Sequence, residues 1–265
     1  MYDPDMETLN PQALRAAYDR DGYVIARNVI DADLAQEAVE HCKWLIAKHP
    51  ELRPEDLGHS LVPDDPFWVR LVSDSRLVDV AAAFVGPNVA LFASHYIVKA
   101  PKTGRPVLWH QDGSYWPLDP MDVVTLWLAC GRATRENGCM KVIPGTQNVE
   151  LQEMKQYTKV DSVLQSEIDP TMVDESKQVY LELEPGDVSI HHPNVIHGSE
   201  ANTSDEWRYG LTIRYIPTST RITVDSAGCP FLLRGEAVPG INHYLERPRF
   251  RAGDHMPFRG DSDWA

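Results

Sequence analysis

The sequence predicts a mainly β fold with flanking helices, a double-stranded β-helix of the jelly-roll, cupin-like kind, on three observations. From Asn88 onward, short apolar or alternating segments are punctuated by Gly, Pro, Asn and Asp, as strands separated by turns are. The residues before Asn88 instead carry mostly helical periodicity. The 265 residues, 43% of them hydrophobic, contain no repeat, low-complexity tract or linker, so one domain with a sizeable core is expected. It should divide into a helical part over about 1–88, a jelly-roll core over about 89–217 and a C-terminal extension over about 218–265.

The elements follow in order. Asn10 before Pro11 is an N-cap followed by a residue suited to the first helical turn, so a short helix opens at Pro11 and includes Tyr18. Asp21-Gly22 then turns the chain into a strand, Tyr23 to Ala26. Leu34, Ala38, Val39, Cys42, Leu45 and Ile46 recur at helical spacing from Asp31 to Lys48, with Asp31 or Asp33 as the cap. Another helix covers Arg76 to Phe84 and is stopped by Gly86-Pro87. Strands are expected over Val89 to Lys99, Val107 to Gln111, Val123 to Ala129, Met140 to Ile143, Val179 to Leu183, Val188 to His192 and Tyr209 to Ile216, a number that suits two stacked sheets. The polar stretch from Asn148 to Ser176 has weak periodicity and reads as a long excursion over the sheet, of a length typical of lids or disordered segments. The tail after Pro230, rich in Arg and Pro, gives no pattern.

Charge narrows the partners. A net charge of -14 and an isoelectric point near 5.1 disfavour nucleic acid and anionic membrane surfaces, which need clustered Lys and Arg. A small-molecule substrate is expected instead. Cys42, Cys130, Cys139 and Cys229 show neither C-x-x-C spacing nor a dense framework, so reduced thiols are the default. The acidic start, Met1 to Glu7, is unlike a secretory signal, and no apolar run approaches a membrane span, so a cytoplasmic location is expected.

Two short stretches carry the chemistry. In a strand, residues two apart point to one side, so His110 and Asp112 can converge on one ion while Gln111 faces away. Val107-Leu108-Trp109 before them and Gly113-Ser114 after them fit a strand end. Downstream, Pro185-Gly186-Asp187 forms a turn, Val188-Ser189-Ile190 a short strand, and His191, His192 and His197 follow within seven residues. Two imidazoles and a carboxylate on one face of a metal, with other positions open, suit a non-heme Fe(II) oxygenase. Two His and a carboxylate also suit zinc, so a zinc-dependent hydrolase remains an alternative, as does a non-catalytic metal-binding jelly roll.

The ordered motifs resemble the phytanoyl-CoA dioxygenase family, a branch of the Fe(II)/2-oxoglutarate oxygenases. The matching text is His110-Gln111-Asp112, Asn137-Gly138-Cys139, Pro144-Gly145-Thr146, Pro185-Gly186-Asp187, His192-Pro193 and Ile196-His197-Gly198-Ser199, with Asn202, Arg208 and the early Asp21-Gly22-Tyr23. The likeness runs from about residue 12 to about residue 217. It implies that His110, Asp112 and His197 hold Fe(II), the catalytic centre. It also implies that Arg208 and Ser199 bind the distal carboxylate of the co-substrate 2-oxoglutarate, with Trp127, His95 and Ile97 lining that pocket. A guanidinium fork fits a carboxylate in a bidentate way that Lys cannot copy. Arg214, six residues beyond Arg208 on the same strand face, is its rival, read otherwise as a surface or substrate-side charge. His191 and His192 read as structural groups near the site, and His41, His49, His59, His243 and His255 as surface residues.

The implied reaction consumes 2-oxoglutarate and O2, releases succinate and CO2, and hydroxylates an unactivated C–H bond. Family members that halogenate have a small residue where this chain keeps Asp112, so hydroxylation is expected. Gln111, Tyr115, Trp116 and Arg105 are expected on the substrate side, the aromatic pair packing against an apolar chain or a cationic head group. The family's namesake substrate is an acyl-CoA, whose phosphates sit uneasily with so acidic a chain; a small polar metabolite is the other expectation.

Overall fold

The computed structural model describes residues 10–156 and 159–265, so the acidic start lies outside the described residues. Helix α1 (Pro11–Asp21) is capped by Asn10, whose side chain accepts from the backbone N–H groups of Gln12 and Ala13. Strand β1 (Tyr23–Ala26) leads to α2 (Ala32–Lys48), where Asp31 is the cap, accepting from Leu34 N at 2.8 Å. Then come α3 (Pro66–Val72), which the sequence pattern did not announce, and α4 (Ser75–Val85). The strands that follow are β2 (Val89–Tyr96), β3 (Val107–His110), β4 (Leu118–Asp119), β5 (Val124–Ala129), β6 (Met140–Val142), β7 (Lys155–Gln156) and β8 (Ser166–Glu167). They continue as β9 (Val179–Leu181), β10 (Val188–His191), β11 (His197–Ser199), β12 (Gly210–Pro217), β13 (Arg221–Ile222) and β14 (Phe231–Arg234).

Two antiparallel sheets face each other as the predicted jelly roll. The larger has the order β1-β10-β5-β12-β2-β14 and the smaller β3-β11-β6-β9. Two of the larger sheet's strands come from outside the expected roll: β1 from the helical part, and β14 from the tail. The tail showed no pattern because β14 is a four-residue edge strand, FLLR, too short for periodicity to register.

The pleat sorts side chains onto two faces. Leu126 and Leu128 of β5, Val188 and Ile190 of β10, and Leu211, Ile213 and Tyr215 of β12 join the main core, which includes Leu34 of α2, Trp68 of α3 and Leu77 of α4. The alternate residues Trp127, Ser189, His191, Thr212 and Arg214 point the other way, between the sheets. The helices thus seal one face with apolar packing, while the other face carries polar groups into the interior of the roll.

Three histidines expected at the surface are not there. His41 is fully buried, bonded through Nδ1 to the Tyr96 hydroxyl at 2.9 Å and through Nε2 to Asp65 at 2.9 Å. His255 is also buried, accepting from Arg251 N. His59 is half-buried against His95. Each sits among polar partners that apolar periodicity cannot reveal. No helix among the described residues is long and apolar enough to cross a membrane.

Candidate metal centre and its two chambers

Strands β3 and β11 pair so that His110 and His197 stand directly opposite each other, their ring centroids 4.0 Å apart. Each ring is set by the same local bond: His110 Nδ1 to Leu108 O at 2.9 Å, and His197 Nδ1 to Val195 O at 3.0 Å. A carbonyl only accepts, so each Nδ1 carries the proton and each Nε2 keeps its lone pair. Strand β3 ends at His110. Gln111 stays extended, and Asp112 opens a short 3-10 turn, which still returns its carboxylate to the imidazoles. Asp112 Oδ1 lies 3.4 Å from His110 Nε2 and 3.9 Å from His197 Nε2. All three ligand atoms fall within 4.8 Å of one another.

The charge states suit a cation. Burial alone would raise the Asp112 carboxyl, but the flanking His110 and His191 imidazoles and the charge of Arg214 outweigh it, holding the group well below the usual carboxylate range. Burial, then the neighbouring His110, pushes His197 well below the ordinary histidine range, so the ring is neutral. His191 brings Nε2 to 3.6 Å from Asp112 Oδ2, and neither of its ring nitrogens has a hydrogen-bond partner. Of the His191-His192 pair, then, only His191 borders the centre. The His192 ring points outward and packs against Tyr18 at 5.8 Å.

Beside the three ligand atoms lies an inner chamber of about 80 Å³, walled by Ile97, Trp127, Ser199, Arg208 and Arg214 among others. Arg208 is almost fully buried, donating from Nη1 to Gly138 O and from Nη2 to Ile97 O at 3.0 Å. Its Nε has no partner. Burial pushes its pKa down to about 9, which still leaves a cation at neutral pH. The guanidinium carbon lies 5.3 Å from the Trp127 ring centroid, and Gly210 makes that possible, because a Cβ there would sit 2.1 Å from Trp127 Cζ2. Gly138, at φ +81°, turns the chain and also offers the carbonyl that holds Arg208.

Lys99 was missed by the sequence reading. It is fully buried, with Nζ donating to Ser199 Oγ at 2.8 Å and to Glu200 O. Burial, then the charge of Arg208, pushes its ammonium well below the ordinary lysine range. The signal was present: Lys99 continues the alternation His95, Ile97 on one face of the chain.

A second, outer chamber of about 870 Å³ shares Ile97, Asp112, Val163, Leu164 and Arg214 with the first. Tyr115 and Trp116, the aromatic pair expected on the substrate side, are among its lining residues. His95 lies on this outer side rather than in the inner chamber; its Nδ1 accepts from Arg214 Nη1 at 2.9 Å, and its Nε2 meets His59 Nδ1 at 3.1 Å. Val163 and Leu164 come from the polar excursion, which lies along β3 through Val163 N to Pro106 O and Ile168 N to Trp109 O, both 3.0 Å. It is a wall of the site, recognisable only as an apolar pair in a polar stretch.

Two substrate-side expectations are corrected. Gln111 is completely buried and turned away from the metal side; its Nε2 donates to Asn194 O at 2.8 Å and its Oε1 accepts from Gln152 N at 2.9 Å, pinning the excursion's start. Arg105 is consumed by carboxylates: Glu55 at 2.7 Å, Asp56 at 3.2 Å and Asp161 at 3.4 Å. Arg214, the rival to Arg208, is no surface charge, since it walls both chambers.

The phytanoyl-CoA dioxygenase family model matches residues 18–210. A Caenorhabditis elegans protein, phytanoyl-CoA dioxygenase domain-containing protein 1 homolog, is 31% identical over 164 residues, covering 59% of this chain and 57% of that protein. The chain thus spans less than two thirds of that relative. Among solved structures, a non-heme monooxygenase, ThoJ in its apo form, superposes with a TM-score of 0.76 at 23% identity over 89% of this chain and 88% of the other. The non-heme alpha-ketoglutarate-dependent carbocyclase SnoK from nogalamycin biosynthesis superposes at 0.66, with 25% identity over 82% and 87% of the two chains.

Proposed function

The chain belongs to the phytanoyl-CoA dioxygenase family of Fe(II)/2-oxoglutarate oxygenases, and from that premise we propose that it hydroxylates an unactivated C–H bond of a small-molecule substrate. The balance is substrate C–H plus O2 plus 2-oxoglutarate, giving C–OH, succinate and CO2. The observation that carries the reading is the convergence of two outward-facing Nε2 lone pairs and one ionised carboxylate beside a buried arginine.

The residues fit the groups they would hold. The donor set of His110, Asp112 and His197 has the make-up of an Fe(II) facial triad, and its protons are already placed on the far nitrogens. Bound iron, with the keto-diacid and dioxygen, supplies the oxidising power; the protein's task is placement. Arg208 would receive the distal carboxylate of 2-oxoglutarate, an anion that also answers its unpartnered buried Nε. Ser199, held by Lys99, would add a hydroxyl, while Trp127 and Ile97 form the walls. Main-chain bonds around the inner chamber keep these groups fixed before any ligand arrives. A hydrolase would give the buried Arg208 no anion to meet.

The test is anaerobic addition of Fe(II) and then 2-oxoglutarate to the purified chain. A visible charge-transfer band that His110→Ala abolishes is the expected result. A wild-type protein that binds iron yet shows neither the band nor 2-oxoglutarate consumption sinks the proposal.

A further inference from the structure

Arg214 is a half-buried guanidinium in the wall between the two chambers, and its hydrogen bonds are unevenly used. Nη1 donates to His95 Nδ1 at 2.9 Å and to Thr212 Oγ1 at 3.2 Å. Nε has no partner, and among the described residues the group makes no ion pair and Nη2 makes no hydrogen bond. The edge formed by Nε and Nη2 is therefore unpartnered. A carboxylate matches such an edge with two parallel charge-assisted bonds.

The hydrogen-bonding neighbours hold this cation in place without neutralising it, and the carboxylate charge that acts on it, Asp112, makes no ion pair with it among the described residues. His95 accepts from Arg214 through Nδ1, so the proton of the neutral ring sits on Nε2 and points at His59 Nδ1. Burial, then the charge of Arg214, keeps both His95 and His59 below the ordinary histidine range. Below the guanidinium the Trp116 ring lies 5.1 Å away, adding a flat apolar support. Arg208 already walls the inner chamber, so among the described lining residues Arg214 is the Lys or Arg left for the outer one.

The rest of the outer chamber defines what else an occupant carries. Phe92, Ala93, Trp116, Pro117 and Leu164 give it largely apolar walls. Glu55 and Asp56 also line it, Glu55 buried against Arg105, and the nearby cations are spent: Arg105 on Glu55, Asp56 and Asp161, and Arg53 on Asp161 at 3.4 Å. Among the described residues, no unpaired Lys or Arg is therefore left on this side of the chamber for the phosphates of a coenzyme A ester.

We propose that the primary substrate is an apolar free acid, not an acyl-CoA, whose carboxylate is received by Arg214 at the inner end of the outer chamber. This rests on the oxygenase reading of the same site. It makes Arg214 the residue that selects the substrate, and it places the oxidised carbon near the acid end of the molecule, since Arg214 and Asp112 wall the same space.

The test is calorimetric binding to the protein with and without Fe(II) and 2-oxoglutarate, under anaerobic conditions. The probes are hexanoate, decanoate and phenylpropanoate, each beside its alcohol and its coenzyme A ester. The acids are expected to bind roughly tenfold or more tightly than either counterpart, the worth of a charge-assisted pair. Arg214→Gln should erase that preference and leave 2-oxoglutarate affinity unchanged; Arg214→Lys should restore it in part. The wild-type comparison stands even if the variants do not fold. Tighter binding of the esters, no preference for any acid, or a loss of 2-oxoglutarate affinity in Arg214→Gln would overturn the proposal. Failure of the oxygenase reading shows separately, as acid binding to a protein that consumes no 2-oxoglutarate.

Discussion

His110 and His197 are paired across the β3–β11 ladder, and each is turned by a bond from Nδ1 to the carbonyl two residues before it. The same local main-chain bond, to Leu108 within β3 and to Val195 just before β11, aims both Nε2 atoms. Replacing His110 with Ala removes one ligand and leaves the ladder intact. Iron affinity should fall by more than the roughly 10–100-fold that loss of an outer hydrogen bond costs. Iron content after desalting, with an unchanged circular dichroism spectrum, checks this.

Arg208→Lys tests the planar fork. Lys keeps the charge but loses the paired donors, so the 2-oxoglutarate KM should rise roughly tenfold or more while iron content stays at wild-type level. Titration of the visible band against 2-oxoglutarate measures it. An unchanged KM would move the co-substrate away from Arg208.

Gly210→Ala puts a methyl where Trp127 lies, 2.1 Å from Cζ2. The indole must shift off Arg208 or the strand must move. The expected cost is about 1–3 kcal/mol in urea unfolding, with weaker 2-oxoglutarate binding. Wild-type stability together with wild-type affinity would show that the indole is not confined there.

Asp31 caps α2 and pairs with Arg76 at 2.6 Å. The Arg76 hydrogen bond, then the Leu34 N–H, pull its pKa down to about 2. A depressed folded-state pKa means the ionised cap stabilises the fold above the ordinary carboxylate value of about 3.9, and that this is lost as pH falls through the folded value. Asp31→Ala should cost about 1 kcal/mol at pH 7. The gap between variant and wild type should narrow as the pH is lowered from about 5 towards about 2. Urea midpoints across that range decide it.

Much of the architecture was legible because the apolar pattern is local. The helix carrying Leu34, Ala38, Cys42 and Leu45 and the alternation through Leu126 and Leu128 each show within one segment. The convergence of His110, Asp112 and His197 was legible from strand spacing and motif order. What stayed hidden depends on distant partners. Gln111 looked able to reach substrate until Asn194 and Gln152 claimed its amide, and Arg105 until Glu55, Asp56 and Asp161 claimed its guanidinium. His59 joins the site only because a loop before α3 meets β2, a contact no local pattern encodes.

The strand Phe231–Arg234 lies against β2, at the border of the larger sheet. Cutting the chain after Pro217, where sequence alone would end the roll, would strip that border and leave β2 with a row of unanswered amides, an invitation to sticky self-association. Any shortened version meant to stay monodisperse has to keep the last segment attached.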